Sequence, residues 1–110
     1  MSNHYHDPDD TKRFKDLKQL APAEFEAWVN LDRIVARDDG TVPRKYRELI
    51  ALAVSLTTQC VYCIDAHTKA AKKAGASREE IAETTFLAAA LRAGGAAAHG
   101  TLALKLYDGA

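Results

Sequence analysis

The stretch "ELIALAVSLTTQCVYCIDAH", residues 48–67, decides the fold. Its first half continues a segment that opens at Pro43, starts basic and amphipathic, and then turns apolar on nearly every side, which predicts a buried helix. Its second half starts afresh at the cysteines and runs on through Lys72 and Lys73 to Gly75. That predicts a second helix, basic in its last turn and ended by a residue suited to the left-handed position after a helix.

Working outward, Thr41 is a candidate cap for the first of these helices, with Pro43 in its opening turn. Upstream, "PAEFEAWVNLDRIVARDDG" (residues 22–40) opens on a proline and sets Phe25, Trp28, Leu31, Ile34 and Val35 along one stripe, so it reads as a helix stopped by Asp38-Asp39-Gly40. An aromatic pair at this spacing is read as packing. A shorter peripheral helix is expected from Thr11 to Leu20. Residues 1–10 read as a polar tail in which His4 and His6 are solvated rather than metal-bound.

Downstream, Ser77 and Glu80 form a capping-box pattern. The helix they start is expected to break, or to cross another helix closely, at Gly94-Gly95 and Gly100. No segment alternates like a strand. The expected architecture is one all-α domain over residues 11–110, a bundle of five or six helices. Its Ala-rich final third and poorly polar helices would leave apolar patches in water, so self-association with cyclic or dihedral symmetry is expected.

Composition narrows the function. The 110 residues are 47% apolar and 27% charged, a globular balance. Fifteen Lys and Arg offset fifteen Asp and Glu, so no overall field exists to gather nucleic acid or an anionic membrane. Neither a secretory leader nor a membrane span is legible, and a cytoplasmic location is expected. In a reducing compartment, two cysteines three positions apart point to catalysis or metal binding.

Cys60 and Cys63 are neighbours around a helix entrance and can form a disulfide with little movement. The helix N-terminus favours a thiolate there by about 0.3 to 1 kcal/mol, too little by itself for a fast nucleophile. His67, one turn after Cys63, is placed to take a thiol proton, which makes Cys63 the candidate nucleophile. An imidazole used in this way needs an orienting carboxylate. Asp65 lies in the first turn but on another face, where it reads as a helix-dipole partner. Glu48 lies on the preceding helix, and there a surface ion pair with Arg44 competes for it.

The set Glu48, eleven residues, Cys60, two residues, Cys63, three residues, His67 resembles the alkylhydroperoxidase D-like branch of the carboxymuconolactone decarboxylase superfamily. The flanking "PRKYRELIALAVSLTTQC" and "HTKAAKKAGASREEIAE" resemble it too, over roughly residues 20 to 107. The resemblance implies an all-helical fold assembled as homotrimers or homohexamers and a cysteine pair cycling between dithiol and disulfide. It implies Cys63 as the peroxide-attacking thiol, Cys60 as the resolving thiol, and His67 with Glu48 as the proton relay. It further implies a small hydroperoxide substrate and, as electron partner, a peroxiredoxin or a lipoyl-bearing protein. The dithiol carries the electrons, so no cofactor or metal is expected.

One position departs from the pattern. Some members carry a relay histidine directly before the second cysteine; here it is Tyr62, a poor proton carrier at neutrality whose hydroxyl can still donate to a thiolate. His99 reads as a histidine satisfied in a helix interface. Two alternatives stand beside the oxidoreductase: a structural zinc site of Cys60, Cys63 and His67 with a fourth ligand such as His99, and a lyase acting on a γ-lactone acid, which has no use for a dithiol.

Overall fold

A computed structural model describes residues 5–109, so His4 lies outside the described residues. A 3₁₀ turn (Pro8–Arg13) leads into α1 (Phe14–Leu20), α2 (Pro22–Val35), α3 (Arg44–Thr58), α4 (Val61–Lys73) and α5 (Arg78–Tyr107), with no strand among the described residues. The all-α expectation holds. The helix expected from Thr11 is 3₁₀ as far as Arg13 and α-helical only from Phe14.

Local chemistry accounts for most of the boundaries. Pro22 starts α2. Ser77 Oγ accepts the Glu80 N–H at 3.0 Å while Glu80 Oε1 accepts the Ser77 N–H at 2.9 Å, closing the expected capping box on α5. Gly75, at φ 95°, ends α4 in a Schellman arrangement, with the Ala76 N–H on Ala71 O and its own N–H on Lys72 O. Thr41, in contrast, does not cap α3: the N-cap is Pro43, in extended conformation and with no side-chain hydrogen bond.

Helix α3 is the centre, packed on one side by α4 and on another by α5. Its buried residues are Glu48, Leu49, Leu52 and Ser55, a single helical stripe. Burial on every side does not occur, because Ile50 and Val54 are each more than half exposed. The stripe of α2 packs as expected only at its start, where Phe14, Phe25 and Trp28 hold ring centroids 5.5–6.0 Å apart. Leu31, Ile34 and Val35 face water.

The glycines of α5 do not break it. Thirty residues run uninterrupted, and a Cβ at Gly94, Gly95 or Gly100 would meet nothing within 4 Å, so no helix of the same chain crosses there. From Ala89 to Gly109 every residue is exposed. The chain presents 8921 Å² to solvent, where a compact 12.0 kDa monomer is expected to present roughly 6,000 Å². Its radius of gyration, 17.9 Å, likewise exceeds the roughly 13 Å of a compact domain of this length. The apolar periodicity therefore marks faces that this chain does not cover by itself.

Candidate active site

Cys60 sits at the N-cap of α4 in extended conformation and Cys63 in its first turn, which brings their Cα atoms to 5.2 Å and their sulfurs into a disulfide. The junction that sets this up is short. Gln59 ends α3 in the left-handed region at φ 56°, and the Cys60 N–H then reaches back to Ser55 O at 3.0 Å. Cys60 Sγ in turn accepts the Cys63 N–H at 3.2 Å, standing where a serine or aspartate oxygen would cap the helix.

Glu48 is 2% exposed and both its oxygens are used. Arg44 Nε donates to Oε1 at 3.0 Å, and His67 Nδ1 lies 2.7 Å from Oε2. Both contacts left open by spacing form, on different oxygens of one carboxylate, and the pair with Arg44 is buried at its acidic end rather than on the surface. A carboxylate only accepts, so Nδ1 is the donor, and in the neutral ring Nε2 carries the lone pair. His67 is 30% exposed, one turn along α4 from Cys63. Arg44 also reaches Asp38 at 3.3 Å, tying the α2–α3 loop to the same carboxylate.

Beside the Glu48–His67 pair is a cavity of about 340 Å³ whose walls include Val35, Val42, Ile50 and Ala51. The one guanidinium in its lining, Arg47, is spent on backbone: Nε donates to Val42 O at 2.7 Å and Nη1 to Val35 O at 2.9 Å. The space is therefore a mainly apolar recess with an imidazole and two carboxylates, Glu48 and Asp32, in its wall.

The remaining candidates lie elsewhere. Asp65 pairs with Lys69 at 2.9 Å, away from the imidazole. His99, exposed on α5, has Nδ1 2.9 Å from Gly95 O, so it is not a histidine buried in an interface of this chain. The Tyr62 hydroxyl does not face a sulfur; it donates to Asp10 Oδ2 at 2.6 Å. Among the described residues no three His, Cys, Asp or Glu side chains gather as a metal site. Spacing gave no sign of Asp10, which is 52 residues from its partner in a polar run without periodicity.

The model of the carboxymuconolactone decarboxylase family matches residues 22–106. An uncharacterised protein of the cox locus of Paracoccus denitrificans is 41% identical over 83 residues, 76% of this chain and 74% of that one. An uncharacterised protein of Cupriavidus necator is 31% identical over 97 residues, 88% and 85% of the two chains. The crystal structure of an apo carboxymuconolactone decarboxylase family protein from Legionella pneumophila superposes with a TM-score of 0.67 at 30% identity, over 76% of this chain and 73% of that one.

Proposed function

The chain belongs to the carboxymuconolactone decarboxylase family, and within it we propose a thiol oxidoreductase of the alkylhydroperoxidase D-like branch. The observation that carries the reading is the 2.7 Å contact between buried Glu48 and His67, which leaves the other imidazole nitrogen free one turn from a cysteine of a Cys-x-x-Cys disulfide.

In the reduced protein, His67 Nε2 takes the Cys63 proton while Glu48 stabilises the imidazolium through Nδ1. The Cys63 thiolate attacks the distal oxygen of a hydroperoxide. A sulfur–oxygen bond forms, the oxygen–oxygen bond breaks, and the alkoxide leaves as an alcohol with the proton returned by His67. The Cys60 thiol then attacks Cys63 sulfenic acid, forming the disulfide and releasing water. Two electrons from a partner dithiol, such as that of a lipoyl-bearing protein, restore the pair, and the restored dithiol can equally pass them on to the disulfide of a peroxiredoxin. Decarboxylation of a lactone acid would leave both sulfurs without a task.

The same reading includes a cytoplasmic setting and a homotrimeric or homohexameric assembly. No helix of the described residues is long and apolar enough to cross a membrane. The solvent-facing apolar residues of α2 and α5 supply surface for copies to bury against one another.

The test is peroxide-dependent thiol loss in single variants. Cys63→Ser should abolish reduction of cumene hydroperoxide, while Cys60→Ser should accumulate a sulfenic acid on Cys63 that a dimedone probe traps. An active Cys63→Ser protein would refute the assignment.

A further inference from the structure

The residue between the two cysteines is gripped by a segment far away in sequence. Tyr62 is the second residue of α4, and its hydroxyl donates to Asp10 Oδ2 at 2.6 Å. That same oxygen accepts the Asp7 N–H at 3.0 Å, part of a capping box in which the Asp7 carboxylate holds the Asp9 N–H at 2.8 Å. The imidazole of His6 meets the Tyr62 ring edge-on, with centroids 5.7 Å apart. Asp10, Phe14, Leu17 and Tyr62 also line one small cavity, so the 3₁₀ turn, α1 and the first turn of α4 meet around the phenol. The last residues of what read as a polar tail, Asp7 to Asp10, are thus held against the dithiol helix.

We propose that Asp10 is a positioning residue for the Cys60–Cys63 pair: through the Tyr62 hydroxyl it holds the first turn of α4 in the geometry from which the disulfide closes. The inference rests on the reading of these cysteines as a cycling pair. Closing the bond requires Cys60 at the N-cap and Cys63 in the first turn with Cα atoms 5.2 Å apart. Once the bond is reduced, that turn is an ordinary helix end, where frayed conformations compete. A clamp on the residue between the sulfurs removes part of that freedom beforehand, so that closure has less ordering left to do. Clamp and disulfide restrict the same turn, and each therefore favours the other. Asp10 has its carboxyl held below its ordinary range, first by the Tyr62 hydroxyl and then by the Asp7 backbone, which keeps it a charged acceptor.

The experiment is a redox titration of the full chain in glutathione and dithiothreitol buffers, scoring free thiols by alkylation and mass. The reaction balances as protein disulfide plus two reductant thiols giving protein dithiol plus reductant disulfide. Tyr62→Phe and Asp10→Asn should each lower the equilibrium constant for disulfide formation about tenfold, a potential about 30 mV less negative. The double variant should fall no further, since both singles remove one contact. Unchanged potentials, a shift toward easier oxidation, or additive effects would overturn the clamp. Thermal melts of the oxidised proteins give the control for folding, and two chemically different singles guard against a local defect of either. The titration needs no peroxidase activity, so an inert protein whose variants shift together keeps the clamp and loses only the peroxide chemistry. A wild-type disulfide that neither buffer reduces would remove both.

Discussion

Glu48 and His67 meet at 2.7 Å across the turn between α3 and α4, with Arg44 on the other carboxylate oxygen. Because the carboxylate is 2% exposed and its two donors are about one-third exposed, it is the buried hinge of the site and they are its wetter arms. Glu48→Gln keeps the shape and loses the charge that steadies an imidazolium. We expect Cys63 alkylation near neutral pH to slow by about 100-fold, the lower end of what an acid–base partner supplies. Glu48→Ala should also destabilise the fold by about 1–2 kcal/mol, since Arg44 and His67 lose their partner but retain some water. Alkylation kinetics and urea melts check the two effects separately.

The clamp gives a pH dependence with a defined sign. Hydrogen bonding to Tyr62 pulls the Asp10 carboxyl below its ordinary 3.8, so its contribution is complete above that value and is lost as pH falls through the lowered one. The same bond, then burial, pushes the Tyr62 phenol above its ordinary 10.0. That contribution is complete below pH 10.0 and disappears as pH rises through the raised value. The contact should thus be flat between these limits and open at both ends. Phenolate absorbance of wild type minus Tyr62→Phe should titrate later than the same difference measured in an Asp10→Asn background.

What the sequence made legible was local. Pro22, Gly75 and the Ser77/Glu80 box act within a few residues, and each does what its type predicts. The dithiol geometry follows from two residues three positions apart at one helix entrance, and so it too was visible. The Glu48 competition was posed as a choice because spacing cannot count the oxygens of a carboxylate; the structure uses one for each partner. Thr41 lost its role to Pro43, whose fixed φ starts α3 without a side-chain cap. The three glycines of α5 cost about 1 kcal/mol each in helix propensity, yet flanking alanines and leucines carry the helix through them. Apolar stripes on α2 and α5 identified faces to be covered without identifying what covers them. Asp10 and Tyr62 carried no signal at all, because a polar pair separated by 52 residues leaves no period to read.

Gln59 is the single described non-glycine residue with positive φ, at 56°, and it lies directly before Cys60. The left-handed region costs an L-residue with a Cβ about 1 kcal/mol, and the position after a helix is where glycine is usual. Gln59→Gly should therefore raise stability by about 0.5–1 kcal/mol in urea unfolding. Gln59→Val, branched at Cβ, should lower it by at least as much. Since the Cys60 N–H bond to Ser55 O depends on this turn, the valine variant should also form the disulfide more slowly after reduction.

The exposed half of α5 separates folding from assembly. Leu102, Leu104 and Leu106 are 47–67% exposed, so a charge at any of them displaces little packing within the chain. The excess of exposed area over a compact monomer is on the order of 3,000 Å², within the range that obligate interfaces bury. If copies of the chain bury it, Leu102→Asp should leave helicity intact and shift the mass seen by light scattering from an oligomer to a monomer. Its melting point should then become independent of protein concentration, whereas that of the wild type rises with it. A wild-type protein that scatters as a monomer with the same melting point at every dilution would show that these leucines face water in the working molecule, and the homo-oligomer would have to be abandoned.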